Sequence, residues 1–178
     1  MVGPQEPQCE RLKLAPFFDR YERFIYMDDT CIMTPDCPNL FDLVPEGVLG
    51  CVVEPFDNRQ MWLQKSLDRY GVDRCNGLYF NAEMLVFSQS HRVLFRDIHD
   101  LVKRPLWDQD YFNAMVNKYD LPVHDLGTSF NYLGSMIPAR LENPAQGEKV
   151  YIWHLTTGCP SRLKYGREIN KLICTEQI

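Results

Sequence analysis

Apolar residues in this chain come in short bursts separated by polar and proline-bearing stretches, a rhythm of alternating strands and helices. Arg23-Phe24-Ile25-Tyr26-Met27 is an almost unbroken apolar run halted by Asp28-Asp29-Thr30. That pattern predicts a strand buried on both faces, with carboxylates at its C-terminal end. Residues 48–54 predict a second buried strand, and residues 78–88 a third, interrupted by polar Asn81 and Glu83. Leu63, Leu67 and Tyr70 lie at i, i+4 and i+7 with Gly71 just beyond, which predicts an amphipathic helix with a glycine stop. Further helices are expected over 91–102, capped by Ser88 or Ser90 and burying Leu94, Phe95, Ile98 and Leu101, and over 109–118, capped by Asp108. A last strand is expected at 149–154 and a terminal helix at 163–173. Residues 11–21 predict a short helical segment curtailed by Pro16, and residues 34–45 a loop with one helical turn at 39–43. The alternation points to an α/β sheet. No repeat, low-complexity run or linker divides the chain, so residues 1–9 are expected to be a loose end and 10–178 a single domain.

Composition narrows the function classes. With 19 basic and 24 acidic side chains among 178 residues, the net charge is −5, which argues against sequence-independent nucleic-acid binding. No run approaches the roughly 18 to 20 apolar residues of a membrane helix, and Met1 to Gln8 lacks a basic region followed by an apolar core. No membrane span and a cytoplasmic location are therefore expected. Seven cysteines form no CxxC pair, so reduced thiols are expected, with Cys51 as a small buried hydrophobe.

Ligand sites in open α/β sheets lie beyond the carboxyl ends of strands, which singles out Asp28 and Asp29. Adjacent carboxylates repel, so they call for a cation such as magnesium or manganese, or for the hydrogen bonds of a solvated turn. His154 ends a later strand, where an imidazole completes a metal site or serves as a hydrogen-bonded structural group. Arg162, Lys164 and Arg167 cluster beside Gly158 and Gly166, suited to phosphate oxygens or to a solvated helix end. Trp107-Asp108-Gln109-Asp110 gathers polar groups around an aromatic, as carbohydrate sites do. Asn81, inside an apolar strand, needs partners, whether a ligand or the core.

Taken in order, these segments resemble the GT-A-fold glycosyltransferases, most closely glycosyltransferase family 8, over about Lys13 to Lys164. The family's carboxylate motif looks like Tyr26-Met27-Asp28-Asp29-Thr30, one residue shorter here, with Asp29 in the register of the direct metal ligand. The family's asparagine-small-glycine strand resembles Asn81-Ala82-Glu83, with glutamate in place of glycine. The aspartate-glutamine-aspartate segment matches Asp108-Gln109-Asp110, followed by Asn113. The late histidine motif resembles His154-Leu155-Thr156-Thr157-Gly158, without its usual lysine-proline-tryptophan continuation, for which Arg162 or Lys164 stands as substitute.

The resemblance implies a truncated GT-A-like mixed sheet flanked by helices. It implies retaining transfer of a hexose from a nucleotide-diphosphate sugar, UDP-hexose favoured, to a glycan or other hydroxyl acceptor. Asp28, Asp29 and His154 would hold Mn2+ or Mg2+. Asp108 and Gln109 would be catalytic, and Asn81, Ala82, Asp110, Gly158, Arg162 and Lys164 would bind donor or acceptor. The nucleotide-binding βαβ region that precedes the motif in the family has no counterpart in the 27 residues before Asp28. The resemblance then implies a fragment, a truncated gene product or a reduced descendant, the last making a catalytically silent carbohydrate-binding or scaffold protein the alternative. Tyr26-Met27-Asp28-Asp29 also resembles the active-site tetrapeptide of reverse transcriptases, but the acidic balance offers no template channel.

Overall fold

A computed structural model describes residues 10–96, 108–142, 147–156 and 162–175. Its strands are β1 (Arg23–Met27), β2 (Cys31–Met33), β3 (Leu49–Val53), β4 (Phe80–Ser88), β5 (Val123–Asp125), β6 (Tyr132–Leu133) and β7 (Ile152–His154). The helices are α1 (Leu40–Leu43), α2 (Arg59–Tyr70), α3 (Asp108–Lys118), α4 (Ile137–Glu142) and α5 (Arg162–Thr175), with 3-10 segments at Glu10–Asp19, Gln89–Phe95 and Thr128–Phe130. The first sheet has the order β1-β4-β3-β5, with β4 antiparallel to both neighbours and β3 parallel to β5. The second has the order β2-β7-β6, antiparallel then parallel.

The first sheet packs its two faces into different cores. Leu49, Cys51, Ala82, Leu85 and Phe87 meet α2, α3 and the Gln89–Phe95 segment in the larger one, where Leu63, Leu67, Phe112 and Met115 are buried. Met84, Val86 and Val52 face a smaller core shared with Ile152 of the second sheet and Leu40 and Val44. A third cluster, around Trp153, Ile137 and Ile169, lies behind the second sheet under α4 and α5. Gly71 ends α2 at φ +63°, a left-handed stop that suits glycine.

Several elements differ from the sequence expectation for identifiable reasons. β1 is an edge strand with Ile25 38% exposed, so it is not buried on both faces. Residues 149–151 stay outside β7, because only Ile152–His154 find partners in β2 and β6. The predicted helix at 91–102 is, where described, a 3-10 segment: the Ser88 side chain accepts from the His91 backbone, and the His91 ring accepts from Ser88 N–H at 2.8 Å. Ile98, Leu101, Trp107, Gly158 and residues 1–9 lie outside the described residues. Cys51 is fully buried, and burial pushes its thiol pKa well above the ordinary value.

Candidate active site at the seam of two sheets

The chain leaves the first sheet at Met27 and joins the second at Cys31, so Asp28-Asp29-Thr30 is the turn between them. Asp28 N–H donates to Glu83 O at 2.8 Å, extending the β1–β4 ladder by one rung, and Cys31 N–H donates back to Asp28 O at 3.1 Å. Cys31 then pairs with His154 across β2 and β7, and Leu155 N–H donates to Thr30 O. Two residues 126 apart in sequence, Asp28 and His154, therefore meet at the seam.

Glu83 joins them because β4 carries an irregularity. Phe80, Ala82, Leu85 and Phe87 all face the larger core, and the step from Ala82 to Leu85 breaks the period of two. The pairing with β3 slips at the same place, between Gly50 and Val52. The local kink of a bulge re-aims a side chain, here Glu83, toward the β7 face that carries Ile152 and His154. Ligand atoms of Asp28, Glu83 and His154 all lie within 4.8 Å of one another. His154 is 1% exposed, and its Nε2 contacts Glu83 Oε2. The donor set, two carboxylates and an imidazole, fits a divalent ion such as Mn2+ or Mg2+.

Asp29 lies outside this group. It is exposed, and its N–H donates to Asp28 Oδ1 at 2.8 Å. Asp28 Oδ2 accepts from Thr30 Oγ1 at 3.1 Å, so Asp28 also organises the turn.

A chain of amide side chains extends from the cluster into the protein. His154 Nδ1 is 2.9 Å from Asn131 Oδ1, Asn131 Nδ2 donates to Asn81 Oδ1 at 2.9 Å, and Asn81 Nδ2 donates to Glu54 Oε1 at 3.1 Å. Gln109 Nε2 donates to the same Glu54 oxygen at 3.0 Å, while Gln109 Oε1 accepts from Ala82 N–H at 3.3 Å. Glu54 is completed by an ion pair with Arg59, whose guanidinium lies 5.0 Å over the Phe56 ring. Arg59 lines an open cleft of about 540 Å³ with Pro55, Phe56, Asp57, Asn58 and Ser135.

The remaining expected site residues are held by the protein itself. Asp108 and Asp110 are buried on the first turn of α3. Asp110 accepts from Tyr79 OH at 2.8 Å and from Arg69 at 3.1 Å. Burial and this carboxylate together raise the Tyr79 phenol pKa far above its ordinary value. Asn81 and Ala82 are buried in β4. Arg162 donates to Thr156 O at 3.3 Å at the start of α5, and exposed Lys164 lies 3.9 Å from Glu168. The sequence reading did not single out Glu54 or Asn131. Glu54 carried a signal of the same kind as Asp28, a carboxylate ending an apolar strand; Asn131, in Thr-Ser-Phe-Asn-Tyr, carried none.

Two mixed sheets flanked by helices form a GT-A-like glycosyltransferase fold, and solved structures match it. The galactosyltransferase LgtC, in complex with donor and acceptor sugar analogues, aligns over 93% of this chain and 66% of its own, at 17% identity and a TM-score of 0.59. Mouse xyloside xylosyltransferase 1, in its apo form, aligns over 85% of this chain and 65% of its own, at 16% identity and 0.52. The bifunctional glycosyltransferase WbbM aligns over 89% and 36%, at 16% identity and 0.56. This chain thus spans less than two thirds of the length of each of these three proteins. Neither a protein-family model nor a curated protein sequence matches it.

Proposed function

We propose that this chain transfers a hexose from a nucleotide-diphosphate sugar, with UDP-hexose favoured, to a glycan or other hydroxyl acceptor, with retention and with Mn2+ or Mg2+ bound. The observation that carries the reading is the convergence of Asp28, Glu83 and His154 where a turn joins two sheets of a glycosyltransferase-like fold. When bound there, a divalent ion would supply Lewis-acid stabilisation of the diphosphate leaving group, an effect worth several kcal/mol. Asp28, Glu83 and His154 are the residues that would hold it, with exposed Asp29 beside them adding negative charge to the site. Arg162 and Lys164, opening α5 eight and ten residues after His154, add fixed positive charge for the same phosphate oxygens.

Gln109 and Asn81 do positioning work. Each amide oxygen takes a backbone N–H of β4 and each amide nitrogen is fixed on Glu54, so neither side chain swings when a ligand enters. Asp110, tied to Tyr79 and Arg69, and Asp108 beside it fix the first turn of α3, which carries Gln109. The Arg59 cleft, joined to this network through Glu54, offers space for a sugar.

The test is release of UDP from UDP-glucose and UDP-galactose, with and without hydroxyl acceptors and with Mn2+ or EDTA. Turnover that requires metal and disappears in Asp28→Asn and His154→Ala supports the assignment. Unchanged turnover in both variants rejects the site. Calorimetric binding of sugars that ignores both metal and nucleotide rejects the enzyme in favour of a carbohydrate-binding protein.

A further inference from the structure

The amide chain behind the cluster has a direction, and that direction starts at the backbone. At the β4 irregularity, Glu83 N–H donates to Asn81 Oδ1 at 3.0 Å, which identifies that atom as the carbonyl oxygen, because a backbone N–H can only donate. Asn81 Nδ2 accordingly points to Glu54, a carboxylate that only accepts. The Asn131 atom 2.9 Å from Asn81 Oδ1 is then the donating nitrogen, which turns Asn131 Oδ1 toward His154 Nδ1 at 2.9 Å. An amide oxygen accepts, so Nδ1 carries the hydrogen. Nε2 is the atom directed at the Glu83 carboxylate, and since two lone pairs repel, it meets that oxygen either through a hydrogen or, with its own lone pair free, through a cation shared with it.

All members of this chain are buried and both of its ends are fixed, Asn131 at 2%, Asn81 at 6% and His154 at 1% exposure. Inverting any one amide would set two acceptors or two donors against each other, so the ring cannot change tautomer without breaking the chain at a cost of about 1–3 kcal/mol per unmatched buried group. We propose that Asn81 and Asn131 are positioning residues that lock His154 as the Nδ1–H tautomer and so present the Nε2 lone pair, between Asp28 and Glu83, to a divalent cation. This rests on the metal-dependent reading above and adds what selects the ligating nitrogen. A ligating histidine is oriented by the partner of its other nitrogen, and loss of such a partner costs on the order of 10- to 100-fold in metal affinity.

The experiment uses the full chain labelled with 15N, Mn2+ binding followed by loss of the free-ion EPR signal, and ring-nitrogen NMR of the chain loaded with diamagnetic Zn2+. The wild type is expected to bind Mn2+ and to show the His154 proton on Nδ1 with the metal on Nε2. Asn131→Leu, which removes the acceptor, and Asn81→Leu, which frees Asn131 to invert, are expected to lose on the order of 10- to 100-fold in Mn2+ affinity. Tyr111→Phe removes a buried hydrogen bond, to Leu94 O at 2.7 Å in the larger core, and is expected to keep the affinity within twofold, which separates positioning from general loosening. Wild-type affinity in Asn131→Leu overturns the inference while leaving the metal reading intact. So does a proton on Nε2 in the loaded wild type, a measurement that stands even where a variant fails to fold. No Mn2+ binding by the wild type overturns both.

Discussion

Asn113 does for the start of β4 what a neighbouring strand would do. Its Oδ1 accepts from Phe80 N–H at 2.9 Å, and its Nδ2 donates to Phe80 O and to Gln109 O, each at 2.9 Å. Asn113 is 0% and Phe80 1% exposed, so no water replaces these bonds when the amide is removed. Asn113→Leu is close in volume and leaves two buried backbone groups of Phe80 unpaired. At roughly 1–3 kcal/mol each, offset in part by the added apolar contact, the expected loss is about 3–5 kcal/mol. At about 2–4 °C per kcal/mol for a domain of this length, Tm falls by roughly 6–20 °C. Asn113→Asp keeps the acceptor for Phe80 N–H but turns a carboxylate oxygen on two carbonyls, so it is expected to be at least as unstable at pH 7. Urea unfolding followed by far-UV circular dichroism gives both values. A loss under 1 kcal/mol in Asn113→Leu, or near-wild-type stability in Asn113→Asp, would refute the view that this amide anchors α3, and with it Gln109, to the sheet.

Three other outcomes follow from the same coordinates. Burial, aided by the Arg23 charge, pushes the His91 pKa down from 6.5 to about 4, so the folded chain keeps the ring neutral while the unfolded chain protonates it. The contribution is complete above pH 6.5 and drains away toward pH 4, about 3 kcal/mol in all; urea titrations across that window should slope less steeply in His91→Gln, and an unchanged slope would contradict the assignment. A Cβ on Gly50 would lie 2.6 Å from Val44 Cγ2 and 2.9 Å from Val86 Cβ, so Gly50→Ala should destabilise by about 1–3 kcal/mol in the same assay, and a neutral result would mean the strands can part freely. Tyr79→Phe removes the hydroxyl held by the Asp110 carboxylate and should cost about 1.5–3 kcal/mol by thermal melt; no change would show that Arg69 alone satisfies Asp110.

Periodicity and punctuation made the larger elements legible. The Arg23–Met27 run, Leu63/Leu67/Tyr70 with Gly71, and the Asp108-led helix correspond to β1, α2 and α3. β2, β5 and β6 are two or three residues long, too short for any period to show, and exist because β7 and β3 offer them partners. The edge position of β1 was invisible for a related reason: an apolar run reports burial propensity and says nothing of which neighbours the fold supplies. Within the site, Asp28 and His154 were readable as polar groups ending apolar strands. Glu83 was visible as a polar break in an apolar strand and as glutamate where the resembling family has glycine, but not as a ligand, because its aim depends on a break in alternation that requires knowing which core Leu85 faces. Asn131 and Glu54 owe their significance to hydrogen bonds spanning 50 and 27 residues of chain to Asn81, beyond the reach of any local pattern.

The three-residue turn that carries the chain from one sheet to the other has a mechanical side. Asp28 is tethered to β1 and β4, whereas His154 belongs to β7, so a cation held by both would rivet two layers that otherwise meet through the small core around Met84, Val86 and Ile152. Loading such a rivet slows the parting of the thin β2-β7-β6 layer and leaves the fraying of α2 untouched, so the amide protons of β7 would be the place where occupancy leaves its mark.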